Sequence, residues 1–214
     1  MKIKSHSSPY HRKIIDVVKY YLKDFKNPKI LEFGVRKGIS TKIFLDLCNK
    51  NNGKLISVDV DNYKSLFKSK SWTFIQSRDD DYKYIKKFLP KKIDIIHLDS
   101  LHEAKHVAKI IYSYYPLLKP GGIFLVDDIS CLPYLRGTKK NSFGNEIANQ
   151  ETFEIIQEIF FFNKENFDLG YSFVDSGLAI IRKLNNKKLN LCRKLNYRKY
   201  STLNSLRKIK KFFN

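Results

Sequence analysis

The sequence predicts a doubly wound α/β fold, a mostly parallel seven-stranded sheet with helices on both faces and an antiparallel hairpin at its C-terminal end. Three observations carry this. Short apolar runs of buried-strand type alternate with helical stretches from Lys29 onward. Several of those runs, KILEFG, KLISVD, IDIIHLD and IFLVDD, end in glycine or a carboxylate, as strand ends do at the ligand edge of such a sheet. The last two apolar runs are joined by Asp175-Ser176-Gly177, a hairpin signal.

Each element follows in order. Ser8-Pro9 reads as an N-cap and first helical residue, opening a helix to about Phe25 with Ile14, Val17, Val18, Tyr21 and Leu22 on one face. Ile30, Leu31 and Phe33 form the first strand, and Gly34 and Gly38 allow a tight turn into a helix from about Ser40 to Asn49. Free N–H groups at that helix start face whatever lies above the strand, the geometry of a nucleotide-binding turn. Glu32, just before the turn, is placed to take an amino group or ribose. The Gly34-x-x-x-Gly38 spacing is not that of a dinucleotide binder, and an ordinary glycine loop is the alternative. Asp59 ends the second strand, 25 residues after Gly34, near the distance at which a ribose-binding acid follows the turn.

A third strand, Trp72 to Gln76, runs into Ser77-Arg78-Asp79-Asp80-Asp81. Ile93 to Leu98 is the fourth, followed by Asp99-Ser100-Leu101-His102 and a helix with apolar positions from Ala104 to Leu118. Ser100-x-x-Glu103 fits a capping box at that helix start. Lys119-Pro120-Gly121-Gly122 stops the helix, and strand five, Ile123 to Val126, ends in Asp127-Asp128. A polar stretch from Ser130 to about Ala148 reads as a lid or substrate loop, with Tyr134, Arg136, Asn145 and Glu146 as candidate contacts and a solvated loop as the alternative. A helix from about Gln150 to Phe162 and two strands, Phe167 to Val174 and Leu178 to Arg182, complete the domain. His6, His11, His97 and His106 read as surface or strand residues without a role.

The 214 residues fit one domain, divided as an N-terminal helix (1–27), a central domain (28–183) and a basic tail (184–214). Cys48, Cys131 and Cys192 are odd in number and far apart, which suggests neither a disulfide framework nor a zinc cluster and fits a reducing cytoplasm. The first residues lack the apolar core of a secretion signal, and no apolar run is long enough to span a bilayer. The net charge of +20 is uneven: Arg182 to Asn214 holds 12 Lys/Arg and no acid, leaving 29 basic against 21 acidic residues, or +8, elsewhere. Nucleic acid is therefore not the expected partner, and RNA methylation lacks its amino-group and cysteine signatures. Leu203, Leu206, Ile209 and Phe213 make the tail a basic amphipathic helix. Packing on the domain is its default reading, with an anionic membrane surface or a subunit contact, as in a homo-oligomer, as alternatives.

Over roughly Pro28 to Lys183, the runs ILEFGVRKGIS, LISVD, FIQSRDD, IDIIHLDSLHEAKHV and YYPLLKPGGIFLVDDIS resemble the class I S-adenosylmethionine (SAM) dependent methyltransferases. The resemblance implies the Rossmann-like methyltransferase sheet and SAM as cofactor. It places Glu32, Gly34, Gly38 and Ser40 by the methionine part, Asp59 on the ribose hydroxyls, and Ser77 and Asp79 by the adenine. Asp99-x-x-His102 with Asp127-Asp128 is similar to the sugar O-methyltransferases of macrolide tailoring and the related cephalosporin-biosynthesis group. That similarity implies a divalent cation, Mg²⁺ before Mn²⁺ or Ca²⁺, held by Asp99, Asp127 and Asp128. It also implies His102 as the base for a hydroxyl of a sugar or other small-molecule acceptor, and adds Asp99 to the catalytic and cofactor-binding residues. Three carboxylates at one rim would repel without a cation, and placing His102 in a first helical turn would favour its neutral form. A capped helix start and an acidic strand end in solvent are the structural alternatives. A non-catalytic module keeping the fold is the remaining alternative function.

Overall fold

A computed structural model describes residues 8–130, 143–196 and 201–213. Helix α1 (Pro9–Val17) starts as expected, Ser8 capping it by accepting from the His11 N–H at 3.1 Å. It then widens into a π-helical turn, Val18–Leu22. The wider turn rotates Leu22 into the core and leaves Tyr21 40% exposed, so the inward face differs from the regular helix expected through Phe25.

Strand β1 (Lys29–Phe33) leads to α2 (Ile39–Lys50), then β2 (Lys54–Asp59), β3 (Trp72–Gln76) and a short α3 (Tyr82–Ile85). Strand β4 (Ile93–Leu98) leads to α4 (Ala104–Tyr114), β5 (Leu118–Asp127), α5 (Phe143–Asn163), β6 (Phe167–Ser172) and β7 (Leu178–Lys183), with α6 (Thr202–Phe212) in the tail. The sheet order is β3-β2-β1-β4-β5-β7-β6, parallel except for the antiparallel pairings of β7 with β5 and β6. Strand alternation sends Leu31, Phe33, Ile96, Phe124 and Val126 to a core shared with α4 and α5. Ile30, Ile95, Ile123 and Leu125 go to a second core with α1 and α2.

Three boundaries depart from the sequence reading. Helix α4 begins at Ala104 with Glu103 as an N-cap that makes no side-chain cap bond, and Ser100 gives its hydroxyl to Asp79 instead. The capping box is absent, and His102 precedes the helix rather than lying in its first turn. Strand β5 begins at Leu118, not Ile123, because Leu118 pairs with Ile93 before the Lys119–Gly122 segment bulges out and the ladder resumes at Ile95 and Ile123. Helix α5 starts at Phe143, about seven residues earlier than expected, its first turns being polar rather than periodic.

The bulge is fixed from within by Lys183, whose Nζ donates to the carbonyls of Leu118 at 2.7 Å and Tyr115 at 3.1 Å. Burial, with the charge of Lys92, pulls its ammonium down to about 8. The folded chain thus binds fewer protons than the unfolded chain above that pH, and stability should rise between about pH 8 and the ordinary lysine range. Urea unfolding is expected to gain at most about 3 kcal/mol over that window, an increment missing in Lys183→Met.

Candidate active site

The site grows from the way β1 and β4 leave the sheet side by side. Phe33 and Leu98 are paired, and the Asp99 N–H donates to the Phe33 carbonyl at 2.9 Å. The next residue, Gly34, must pass this strand end at φ +92°, where a Cβ would lie 1.9 Å from the Asp99 carbonyl oxygen. Only glycine fits there. Asp59, at the end of β2, closes the same turn: its Oδ2 accepts from the N–H groups of Val35 at 2.7 Å and Arg36 at 3.3 Å.

Two adjoining clefts open above these strand ends, both lined by Gly34, Arg36, Asp99 and Ser100. The smaller, about 360 Å³, adds Asp59, Ser77, Asp79 and His106. His106 Nε2 lies 2.8 Å from Asp79 Oδ2, and Tyr114 donates its hydroxyl to the Asp79 carbonyl at 2.8 Å. His106, expected to have no role, therefore orients Asp79. The larger cleft, about 610 Å³, adds Tyr10, Ser40, His102, Asp128, Asn145 and Asn149. Asn145 is thus a wall residue on the first turns of α5, where Glu146 is half-buried. Tyr134 and Arg136 lie outside the described residues.

Glu32 does not reach either cleft. It is fully buried, its two oxygens accepting the hydroxyls of Ser40 and Ser57 at 2.7 Å each. Burial pushes its carboxyl above the usual range, with the charge of His97 and the two hydroxyls pulling partly back. Its observed work is to tie α2 and β2 to β1, not to face a ligand. Gly38 is likewise a backbone position, the left-handed N-cap of α2 at φ +70°, packed under Leu66 and Phe67.

The acidic residues divide into two groups that share Asp99. In the open cleft, His102 Nε2 stands 3.4 Å from Asp99 Oδ1 and 3.2 Å from Asp128 Oδ2, each of the three side chains being about a quarter to a third exposed. Tyr10 donates its hydroxyl to Asp99 Oδ2 at 2.6 Å. Beneath lies the second group, Asp99 with the wholly buried His97 and Asp127. Among the described residues the carboxylate oxygens of Asp99, Asp127 and Asp128 do not form one mutually close group; Asp99 is shared between a group with His97 and Asp127 and a group with His102 and Asp128. The physical reason is Lys13. Its Nζ, buried on α1, pairs with Asp127 Oδ1 and donates to Ser176 Oγ at 3.0 Å and the Gly177 carbonyl at 3.3 Å. Asp127 is thereby held inward, while Asp128, at φ +56°, turns out to the cleft. Among the described residues Asp127 Oδ2 and the His97 nitrogens make no hydrogen bond of ordinary length, but they face one another, His97 Nε2 standing 3.8 Å from Asp127 Oδ2.

The electrostatics follow this split. Burial alone would lower the His102 pKa, but the Asp99 hydrogen bond and the charges of Asp128, Asp99 and Asp127 hold it above its ordinary value. That is the opposite of the direction expected from a helix dipole, which His102 does not experience from a first turn. Asp99 is held well below the carboxylate range: burial opposes this, and the His102 and Tyr10 hydrogen bonds with the charge of His97 outweigh it. Tyr10 stays a phenol, pushed up by burial and by Asp99 and Asp127.

Tyr10, Lys13 and Asn149 were not singled out from the sequence, and His106 was read as having no role. For Lys13 a signal existed, since it sits on the α1 apolar stripe three residues after Tyr10 and one before Ile14. Lys13→Ala is expected to lower stability by about 3–5 kcal/mol in urea unfolding because it strands a buried carboxylate. Lys13→Met with Asp127→Leu should cost clearly less than that single change, the volume being kept and no charge left alone.

Residues 31–129 match the model of a family described as a methyltransferase domain. Among solved structures, the MycE methyltransferase from the mycinamycin biosynthetic pathway, in complex with Mg and SAH, is 17% identical with a TM-score of 0.60. It covers 89% of this chain, which spans only 53% of MycE, about half its length. SAH-bound PaMTH1 from Podospora anserina is 16% identical with a TM-score of 0.62, covering 82% of this chain and 78% of its own. An O-methyltransferase family protein from Burkholderia thailandensis is 11% identical with a TM-score of 0.58, covering 83% of this chain and 57% of its own. Comparison with curated proteins gave no match. The matched segment runs from within β1 to just past the end of β5, and the sheet carries its antiparallel β7 between β5 and β6, so this part of the chain is similar to a methyltransferase domain and shares the fold of those solved methyltransferases.

Proposed function

We propose that the protein transfers a methyl group from SAM to a hydroxyl of a sugar or other small metabolite, with His102 as the general base and a divalent cation beside it. The observation that carries this reading is the arrangement of His102 between Asp99 and Asp128 on the wall of the larger cleft, directly beyond the glycine turn. MycE, similar in fold, has been solved with Mg, SAH and mycinamycin VI, which supports a cation and a small-molecule acceptor.

The donor set fits a hard cation. Asp99 and Asp128 offer carboxylate oxygens to the cleft, and Asp127 Oδ2 is a buried oxygen with no hydrogen bond of ordinary length, reached by way of Asp99. When bound, such an ion would supply a Lewis acid that lowers the acceptor hydroxyl's pKa. Asp99 is its first holder, belonging to both acidic groups, with Asp128 next. Asp127 would contribute through Oδ2 alone, Lys13 holding Oδ1.

The remaining work belongs to side chains and backbone. Asp59, with carboxylate capacity beyond its backbone bonds, would accept the ribose hydroxyls. Ser77 and the His106-oriented Asp79 would flank the adenine in the smaller cleft. Gly34 leaves the methionine part room to lie against the turn, and the N-terminus of α2 from Gly38 to Ser40 presents free N–H groups and positive dipole to its carboxylate. His102 Nε2 is flanked by Asp99 and Asp128; with those carboxylates drawn to a cation, that nitrogen would be free to take the hydroxyl proton as the oxygen attacks the sulfonium methyl in line.

Turnover of labelled SAM with a panel of sugars, nucleotide sugars and RNA measures this. His102→Asn is expected to lower kcat at least about 100-fold while SAM affinity by calorimetry stays within about twofold. Equal loss of both would remove His102 from the base role. Chelator should abolish turnover and Mg²⁺ restore it; full activity in chelator would remove the cation. Transfer to RNA alone would replace the acceptor class.

A further inference from the structure

We propose that α6 is an anionic-membrane anchor that lies in the plane of the lipid interface. The sequence left three readings for the tail, with packing against the domain as the default. That default does not hold for its apolar side chains: Leu203, Leu206 and Ile209 are 58, 62 and 56% exposed. At three-residue steps they fall on one side of an 11-residue helix that Ser201 caps by accepting from the Asn204 N–H at 3.2 Å. Asn204, Arg207, Lys208 and Lys211 occupy the other side, and Lys210, four residues after Leu206 and seven after Leu203, falls within the apolar stripe, where a long stem can lie along lipid while its ammonium rises to the headgroups.

Charge selects the occupant. No Asp or Glu follows Asp175, so the whole segment from β7 to the end is uncompensated positive charge. A second copy of α6 would bring like charge against like. A nucleic acid would neutralise the basic side and leave the aliphatic side in water. Three aliphatic side chains on a single short helix are also far too little for a protein–protein contact, which buries roughly 1,200 Å² or more. An anionic bilayer satisfies both sides at once, taking the aliphatic stripe a few ångströms deep and the lysines at its phosphates. No helix among the described residues is long and apolar enough to cross a membrane, and the 11 residues of α6 suit a helix lying along the surface.

Full-length protein tested by flotation with vesicles of phosphatidylcholine alone, and of phosphatidylcholine mixed with phosphatidylglycerol, measures the proposal. Partitioning to the anionic vesicles should be at least about tenfold stronger and should fall at high salt. Leu206→Glu/Ile209→Glu and Arg207→Glu/Lys211→Glu should each return it to the neutral-vesicle level. Both variants are expected to keep the wild-type unfolding midpoint and SAM affinity, because the altered side chains are exposed. Equal binding to both compositions, no binding to either, or anionic binding that survives Leu206→Glu/Ile209→Glu would each overturn the proposal. Capture of an RNA probe that is unaffected by Leu206→Glu/Ile209→Glu, with no vesicle binding, would show a purely electrostatic tail and overturn it as well.

Discussion

The buried pair of Lys13 and Asp127 is the interaction on which the rest of the site depends. Both side chains are essentially inaccessible, at 1% and 0% exposure. Two charges taken out of water are stable only if their remaining hydrogen-bonding capacity is met. Lys13 meets it with Ser176 and the Gly177 carbonyl, so a single ammonium joins α1, the end of β5 and the β6–β7 turn. Three segments, two of them more than a hundred residues from α1, are thereby fixed at one point, and Tyr10, three residues earlier on the same helix, is delivered to Asp99. The helix that the sequence set apart as residues 1–27 shares one hydrophobic cluster with β1, α2, β5 and β7 through Ile14, Val17 and Leu22. It is a wall of the cleft as well as a cover for the sheet.

The strands were legible in the sequence because each obeys one simple rule. Buried parallel strands are continuous apolar runs, and here β1, β2, β4 and β5 are each ended by a glycine or a carboxylate, as at the ligand edge of such sheets. The bounds of β2, β3 and β4 agree with that reading residue for residue. What was not legible depends on partners distant in the chain. Ser100 has two local uses, a capping box or a bond to Asp79, and only the fold brings Asp79 within reach. His106 looks like an ordinary helix residue until β3 sets Asp79 beside it. The early turns of α5 were hidden for another reason: Asn145 and Asn149 face the cleft, so the positions that would have marked helical periodicity are polar. Cleft-facing positions broke the pattern that locates elements.

Glu32 shows the converse. A carboxylate at a strand end invites a ligand-binding role, yet Ser40 and Ser57 take both its oxygens and no cleft reaches it. The pairing of β1 with β2 puts Ser57 directly across from Glu32, and the helical rise after Gly38 brings Ser40 back over it. Its effect on a ligand is indirect: by anchoring the start of α2 it sets where that helix presents its free N–H groups. A single residue type at a single position therefore has two physical readings, and the neighbour across the sheet decides between them.

Asp127 and Asp128 are adjacent in sequence and opposite in circumstance. Asp127 is the last residue of β5, and its side chain follows the strand's alternation toward α1, where Lys13 waits. Asp128 leaves the strand in a left-handed conformation, accepting backbone strain to reach the other side, and its own N–H returns to Asp127 Oδ1 at 2.8 Å. The strain is held because the inward residue is anchored: with Asp127 Oδ1 engaged by an ammonium, a hydroxyl and the next N–H, the chain cannot relax without breaking a buried charge pair. A repeated carboxylate thus acts as a hinge with one fixed arm. The inner aspartate carries the structure, and the outer one meets His102 at the cleft, on a backbone whose start is fixed by the buried pair beneath it.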